Sequence, residues 1–191
     1  ENGRNWRASH RLHLLGINMA KSPQITHQLP VPSGVTITLG ENGHTIKAAG
    51  KSGKVERIVK IDGVKAAVAG SNIEITGNLR EANTLRAHFA NVLEGVQNGY
   101  KRKLKIVYAH FPFSLEVKGK DIVIKNFLGE KQPRHADLIG QTKLEIKGAD
   151  VMVNGVDIEE VGQTIANIRQ ATRIRNRDSR VFQDGVYPVE L

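Results

Sequence analysis

The chain has 191 residues, of which 39% are hydrophobic and 5% aromatic, enough for one or two small domains with modest cores. Lysine and arginine total 28 against 19 aspartates and glutamates, and the resulting charge of +9 favours an acidic partner. The absence of cysteine excludes disulfides, cysteine metal sites and a cysteine nucleophile, and it fits a reducing, cytosolic setting.

Residues 1–24 are interpreted as an N-terminal extension without hydrophobic periodicity. His13 and Asn18 interrupt its apolar stretch and no clean cleavage site follows, so we expect no signal peptide. Met19 resembles a start site, and the residues before it are translated upstream sequence, an artificial addition or a real extension. We expect residues 1–18 to be dispensable for folding. No run of about 18 apolar residues occurs, so no transmembrane helix is expected.

The remaining sequence repeats itself at an offset of about 78 residues. Residues 71–96 match residues 149–174, and both segments have the order strand, glycine, capped helix. We therefore predict two tandem α+β repeats followed by a C-terminal tail, with the boundaries 25–99, 100–179 and 180–191.

Each repeat begins with short segments that alternate apolar and polar residues and are rich in β-branched side chains. Turn signals such as Asp62-Gly63 and Lys147-Gly148 separate them, which predicts antiparallel meanders. Each repeat then closes with one amphipathic helix. The apolar helix residues are Ala82, Leu85, Phe89, Val92 and Val96 in the first repeat and Ile158, Val161, Ile165 and Ile168 in the second. The predicted fold class is α+β, with two similar domains that each pack an antiparallel or mixed sheet against one helix.

Two possible reactive sites have simpler interpretations. Asp157 and Glu160 have the spacing of a helix capping box, which Asn78 and Glu81 repeat, so we predict caps and not acid/base catalysis. Gly50-Lys51-Ser52 resembles the end of a P-loop, but Thr45 replaces the required glycine and a strand is predicted to follow.

The other candidate reactive residues form no recognisable constellation. The histidines lack zinc-ligand spacing, and Ser114 and Ser179 lack an identifiable base. We therefore predict no enzyme activity, no metal site and no cofactor.

Two basic segments in the second half remain. Lys101, Arg102 and Lys103 lie at the predicted junction of the repeats, where solvated linker charge is favoured over RNA contact. The second segment carries five arginines at steps that fit no single helix or strand face, with only Asp178 and Asp184 nearby as partners. Such arginines suit phosphate and sugar contacts better than an idle surface. They are Arg169, Arg173, Arg175, Arg177 and Arg180.

The stretch IRQATRIRNRDSRVFQDGVY resembles the C-terminal signature of the archaeal and eukaryotic branch of large-subunit ribosomal protein L-six, whose eukaryotic members bear the older name L-nine. VYAHFP (107–112) and NFLGEK (126–131) are also similar to family motifs. The resemblance covers about Ile25 to Tyr187, and Pro188 departs from the family pattern. The signature positions are Gln170, Ile174, Arg177, Arg180, Phe182, Asp184, Gly185, Val186 and Tyr187.

The resemblance implies a structural, rRNA-binding component of the large ribosomal subunit in the cytoplasm, beside the sarcin/ricin loop and the stalk base. Its implied partners are large-subunit rRNA, neighbouring ribosomal proteins and, indirectly, the translational GTPases of the factor site, with no membrane. The second repeat would carry most RNA contacts. A free-standing RNA-binding or regulatory module on the same duplicated fold is the alternative.

The resemblance also implies roles for individual residues. Arg173, Arg175, Arg177 and Arg180 would clamp phosphates, while Phe182 and Tyr187 either pin the tail to its own domain or stack on a base. In NFLGEKQPRH, Gly129 either lets the backbone approach RNA or only turns a hairpin. The residues that would then reach phosphates are Lys131, Arg134 and His135.

Overall fold

A computed structural model describes residues 24–40, 45–178 and 180–189. The expectations for residues 1–18, for the turn at 41–43 and for Ser179 lie outside these residues. In the described part of the first unit the elements are β1 Gln24–Pro30, β2 Thr36–Leu39, β3 Thr45–Gly50, β4 Gly53–Ile58, β5 Val64–Ala69, β6 Asn72–Asn78 and α1 Leu79–Asn98. In the second unit they are β7 Tyr100–Val107, β8 Ser114–Lys118, β9 Asp121–Lys125, a 3-10 turn Phe127–Gly129, β10 Arg134–Asp137, β11 Lys143–Lys147, β12 Asp150–Gly155, α2 Ile158–Ala171 and β13 Gly185–Val189.

The strands form four antiparallel sheets within the described residues. Their orders are β1-β6-β5 and β2-β3-β4 in the first unit, and β10-β9-β8 and β11-β12-β7-β13 in the second. The predicted α+β class and the tandem helix-bearing units are confirmed. Each unit divides its strands between two small sheets, whereas the sequence predicted one. Alternation of apolar and polar residues shows that a strand has one buried face, but it does not show which strands share a sheet.

The repeat extends to the register of individual strands. Strands β1, β6 and β5 correspond to β7, β12 and β11, and the offset of about 78 places Thr76 over Asn154. Thr76 lies between Thr26 and Lys65, as Asn154 lies between Lys101 and Lys143. The second unit adds β13 along the edge of β7.

Each helix covers a separate apolar core. Phe89 of α1 is fully buried among side chains of β3, β4 and β6. Ile168 of α2 is fully buried among side chains of β7, β9 and β12, beside Phe127 of the 3-10 turn. Burial of each such side chain stabilises the fold by about 1.5 to 3 kcal/mol. The buried apolar side chains therefore hold both helices against their sheets.

The helix starts confirm the predicted capping positions and correct the details. Asp157 caps α2 by accepting a hydrogen bond from the Glu159 N–H at 2.9 Å. The capping box itself is wrong, because the Glu160 carboxylate accepts from the Gln141 N–H at 3.0 Å instead. Asn78 precedes α1 without a side-chain cap bond. The acidic residues at the start of α2 therefore hold structure together.

The two units meet at the start of α2. Val156 packs against the core of the first unit, and its carbonyl oxygen lies so close to Gly95 that a Cβ there would overlap it. The buried Arg57 of β4 places Nη1 3.4 Å from the Asp157 Oδ1 and also forms an ion pair with Glu159. A guanidinium, an apolar contact and a close backbone approach thus join the units.

The loop Gly50-Lys51-Ser52 lies at the same junction and forms hydrogen bonds with the end of α1. The Ser52 N–H donates to the Val96 carbonyl at 2.8 Å, and Ser52 Oγ donates to the Gln97 carbonyl at 3.1 Å. The loop joins β3 and β4, as the sequence predicted, and satisfies carbonyl groups at the end of α1. A P-loop needs free N–H groups at the start of a helix, so this geometry does not fit one.

Candidate nucleic-acid interface

The arginine segment, residues 169–180, begins in the last turn of α2 and continues through the turns that precede β13. Its backbone has no regular repeat after Thr172, and Asn176 adopts a left-handed conformation with φ of 58°. An irregular backbone frees these unevenly spaced guanidinium groups from the fixed side-chain directions of a helix or strand. All five of its arginines are exposed: Arg169, Arg173, Arg175, Arg177 and Arg180.

The side chains of two of these arginines contact other described residues. Arg180 forms a forked pair with Asp178, with distances of 3.2 Å from Nε and 3.0 Å from Nη2, and hydrogen bonding to Arg180 lowers the pKa of the Asp178 carboxyl. The Arg177 guanidinium lies 4.8 Å from the centre of the Phe182 ring. No salt bridge with a described carboxylate involves the other three, Arg169, Arg173 and Arg175.

The second nearby carboxylate, Asp184, serves a different purpose. It is 1% exposed, and its Oδ1 accepts from the backbone N–H groups of Ala109 at 2.9 Å and His110 at 3.4 Å. Burial by itself would raise the pKa of the Asp184 carboxyl, but these N–H groups and the His110 ring outweigh burial and lower the pKa. Asp184 therefore ties the C-terminal tail to the VYAHFP motif.

The two aromatic residues of the tail are held in different ways. Phe182 is stacked on His110 with ring centres 4.8 Å apart, so it is pinned to its own unit. Tyr187 is 43% exposed, and its hydroxyl donates to the Gln183 carbonyl at 3.3 Å. His110 thus contacts both Phe182 and Asp184 and anchors the tail.

Arg134 points toward the protein and holds the start of the arginine segment. Its Nη1 donates to the carbonyls of Ala171 at 2.8 Å and Arg173 at 3.1 Å, while Nε and Nη2 donate to Glu130 at 2.7 and 2.6 Å. The guanidinium lies 4.4 Å from the centre of the Phe127 ring. These hydrogen bonds to Arg134 lower the pKa of the Glu130 carboxyl. In this geometry Arg134 positions other residues and does not present a free charge.

The NFLGEK motif forms a left-handed turn beside the VYAHFP motif. Asn126 donates from Nδ2 to the Pro112 carbonyl at 2.9 Å, and Gly129 has φ of +75° with its α-carbon facing the Phe111 ring. This φ explains the glycine without RNA, and closer approach by RNA stays a prediction. Lys131 is exposed, whereas His135 lies 2.6 Å from Asp121.

Three motifs that are distant in sequence thus form one surface. Asp184 links the tail to 109–110, Asn126 links the 3-10 turn to Pro112, and Arg134 links β10 to the arginine segment. An open cleft of about 650 Å³ lies between the end of α2 and the tail. Its charged and aromatic lining includes Arg169, Arg173, Phe182, Asp184 and Tyr187.

The predicted basic junction is a strand and not a linker. Lys101, Arg102 and Lys103 belong to β7, which follows α1 after a single residue and lies inside the four-stranded sheet. Lys103 pairs with Asp150 at 2.9 Å, while Lys101 and Arg102 are exposed. Lys143 lies on the same sheet face as Lys101 and was not among the predicted site residues. Its position in the alternating segment KLEIK is the signal that could have identified it.

Other classes of site receive no support from the described part of the chain. It contains no group of three histidine, aspartate or glutamate side chains placed to bind a metal ion. Among the described helices, none is long and apolar enough to span a membrane.

A duplicated α+β fold that presents unpaired arginines around an open cleft is typical of a structural nucleic-acid-binding protein. Residues 111–185 match the family model for ribosomal protein L6. The chain is 42% identical over 169 residues to large ribosomal subunit protein uL6 of Archaeoglobus fulgidus, covering 84% of this chain and 86% of that protein. It is 41% identical over 181 residues to the Methanosphaera stadtmanae protein of the same name, covering 90% and 96%.

The chain therefore belongs to the uL6 family of large ribosomal subunit proteins. The resemblance to the L-six family and its archaeal and eukaryotic branch is confirmed. Membership of a ribosomal protein family also confirms that the chain is not an enzyme.

Proposed function

We propose that this chain is a structural constituent of the large ribosomal subunit in the cytoplasm and binds large-subunit rRNA chiefly through its second unit, residues 100–179, and the adjoining tail. The names of its relatives support the ribosomal assignment. The assignment of the binding surface rests on one observation. Arg169, Arg173 and Arg175 are exposed, and none of them forms a salt bridge with a described carboxylate.

The backbone that presents these arginines is already ordered. Arg134 holds the carbonyls of Ala171 and Arg173, and Asp184 holds the far end of the tail. Because a preordered surface loses less conformational entropy on binding, more of the phosphate interaction appears as affinity. Guanidinium groups bind phosphate oxygens in a bidentate manner, so the segment suits a folded RNA backbone.

The other predicted site residues take graded roles. Arg180 exchanges Asp178 for phosphate at little cost, because an exposed ion pair contributes only about 0 to 1 kcal/mol. Arg177 stays near Phe182 while its outer edge contacts phosphate. Lys131, Lys101 and Arg102 add peripheral contacts, whereas Arg134, His135 and Lys103 hold the surface in shape.

We also propose a location for the chain on the large subunit. We place the chain beside the sarcin/ricin loop and the stalk base, where it supports the factor-binding region. Neighbouring ribosomal proteins contact it there, and translational GTPases are affected indirectly. The resemblance of the tail signature and of the VYAHFP and NFLGEK motifs to the family supports this placement.

Sedimentation of cell extracts tests the proposal against a free-standing RNA-binding module. The wild-type chain should comigrate with the large subunit through a high-salt wash, because many simultaneous rRNA contacts resist removal. A variant with alanine at Arg173, Arg175, Arg177 and Arg180 should be washed off at lower salt. A wild-type chain found only in the free pool would overturn the ribosomal assignment.

A further inference from the structure

Another open cleft lies at the junction of the two units, away from the arginine segment. This junction pocket has a volume of about 330 Å³. The first unit contributes Ser52 and Asn98, and the second contributes Lys101, Gln141, Lys143 and Asn154. Three of these residues lie in a single row across the sheet, because Asn154 of β12 faces Lys101 of β7 and Lys143 of β11.

The two lysines of this row are not neutralised within the described chain. Adjacent strands lie about 4.8 Å apart, so the α-carbons of Lys101 and Lys143 are about 10 Å apart, with Asn154 between them. Both side chains are exposed, and neither forms a salt bridge with a described carboxylate. Farther along β7, in contrast, Lys103 pairs with Asp150 at 2.9 Å. The row thus has a local excess of two positive charges.

Asn154 adds a requirement for a hydrogen-bond donor. Its Oδ1 is buried and has no hydrogen-bond partner, a property that only Asp121 Oδ1 shares among the described side chains that are not exposed. The other oxygen of Asp121 already binds His135, whereas no side-chain hydrogen bond of Asn154 occurs at all among the described residues. A buried acceptor without a partner is costly, and a bound donor would remove that cost.

The equivalent row of the first unit shows that these features are not a consequence of the fold. There Thr76 lies between Thr26 and Lys65, so one of the two lysines is missing. The hydroxyl groups of Thr26 and Thr76 lie 3.3 Å apart and satisfy each other. Only the second unit therefore combines two free cations with an unpaired acceptor.

We propose that the junction pocket binds one unstacked ribonucleotide of the bound RNA, with its phosphate between Lys101 and Lys143. The Asn154 amide, whose oxygen is buried, turns toward the pocket on binding, and its Oδ1 then accepts from the ribose 2′-hydroxyl. A ribonucleotide carries both the anion and the donor that the row lacks, and the 2′-hydroxyl is the group that distinguishes RNA from DNA. This inference rests on the proposed rRNA binding and adds a contact that reads the sugar.

Two probes with the full chain test the pocket directly. Side-chain amide signals of Asn98, Gln141 and Asn154 are followed by NMR during titration with a single-stranded octaribonucleotide and with the octadeoxyribonucleotide of matching sequence. We expect the pocket signals to shift at an RNA concentration about three- to tenfold lower than the DNA concentration that gives the same shift. This ratio corresponds to one neutral hydrogen bond. Pocket signals that do not move with the RNA, or that respond equally to both probes, would overturn the inference.

Variants separate the sugar contact from the phosphate contact. Asn154→Val should remove the preference for RNA, because valine has no side-chain oxygen to accept from the 2′-hydroxyl. DNA affinity should stay unchanged, since valine is favoured in strands and has the shape of threonine, the residue at the equivalent position of the first unit. Lys101→Gln with Lys143→Gln should weaken both probes and flatten the dependence of log affinity on log salt by about 1.4 units. The control, Lys60→Gln with Lys65→Gln, removes equal charge from exposed sites of the first unit and should have a smaller effect. Equal effects of the two lysine pairs would contradict the assignment.

Two further outcomes identify which proposal fails. Adenosine monophosphate that fills the pocket as readily as the octaribonucleotide would assign it to a free nucleotide and overturn the RNA contact. If signals of the arginine segment respond to RNA while the pocket does not, this inference fails and the proposed function stands. If the chain does not bind large-subunit rRNA at all, the proposed function itself fails.

Discussion

The two units share one architecture but present different surfaces. Both pack a helix on equivalent strands, with Phe89 fully buried in the first unit and Ile168 in the second. Helix α1 has no basic residue in its last turn, whereas α2 has Arg169 there and continues into the arginine segment. On the sheet, Thr26 of the first unit is replaced by Lys101 in the second.

This difference shows that core packing and surface charge are encoded at separate positions. The inward residues of equivalent strands stay apolar, which preserves the packing that holds each unit. The outward residues and the segment after the helix carry the charge, and they differ between the units. Among the described residues, the added strand β13 and its anchor Asp184 have no counterpart in the first unit, and they order the tail of the second.

The largest expected effects come from a matched pair of core variants. Phe89→Ala and Phe127→Ala should each lower the free energy of unfolding by about 3 to 5 kcal/mol, because each leaves a cavity in a closed core. Urea denaturation followed by circular dichroism measures this loss. Under folding conditions, only Phe127→Ala should also weaken rRNA binding, since the Phe127 ring supports Arg134. Equal losses of rRNA affinity would contradict the division of roles between the units.

The next effect concerns the anchor of the tail. Asp184→Asn should cost about 1.5 to 3 kcal/mol at neutral pH, because a buried charged acceptor of backbone N–H groups is lost. The pKa of the Asp184 carboxyl is lowered in the folded state, so its contribution is present above the unfolded value of 3.8. It is lost as the pH falls through the folded pKa.

Urea denaturation of wild type and Asp184→Asn as a function of pH checks this sign. The difference in unfolding free energy between the two proteins should be constant near neutral pH and should shrink below about pH 3.8. A difference that grows on acidification would mean that the carboxyl does not act as a charged anchor.

A smaller effect is expected where the units join. Arg57→Met should cost about 1 to 2 kcal/mol, less than for a fully buried pair because Glu159 is largely exposed. The variant should also loosen the orientation of one unit relative to the other, which residual dipolar couplings measure. Lys47→Met, which breaks an exposed ion pair with Glu56 nearby, is the control and should do neither. An unchanged orientation in Arg57→Met would leave Val156 and Gly95 as the elements that hold the units together.

Local patterns in the sequence predicted a large share of this structure. Alternation identified the strands, and the spacing of apolar residues from Ala82 to Val96 identified the buried side of α1. Asp157 was predicted as a cap because its spacing from Glu160 satisfies a local rule, although the bond goes to Glu159. Local rules work here because the relevant partners lie within one helical turn.

Features that depend on distant partners could not be predicted in the same way. Two acceptors of Arg134, the carbonyls of Ala171 and Arg173, are 37 and 39 residues away and could not be identified from the sequence. Its third partner, Glu130, is only four residues away, so that ion pair was within reach of a local rule. Lys101 and Lys103 were assigned to a linker because sequence does not show that β7 follows α1 at once and lies between β12 and β13. Burial of Asp184 required knowledge of where VYAHFP lies in space.

The central claim is that the arginine segment, and not overall charge, binds rRNA. Its most direct test is the salt dependence of binding to large-subunit rRNA after replacement of Arg173, Arg175, Arg177 and Arg180 by alanine. The slope of log affinity against log salt should flatten by about 3 to 4 units, because each arginine that contacts phosphate releases counterions. Folding should survive, since exposed charge pairs contribute only about 0 to 1 kcal/mol each.

The matched control removes the same charge from exposed sites of the first unit, at Lys60, Lys65, Arg80 and Arg86. We expect its slope to stay close to that of the wild type. Equal flattening in both variants would mean that net charge drives association, and an unchanged affinity in the arginine variant would contradict the binding surface assigned to the second unit.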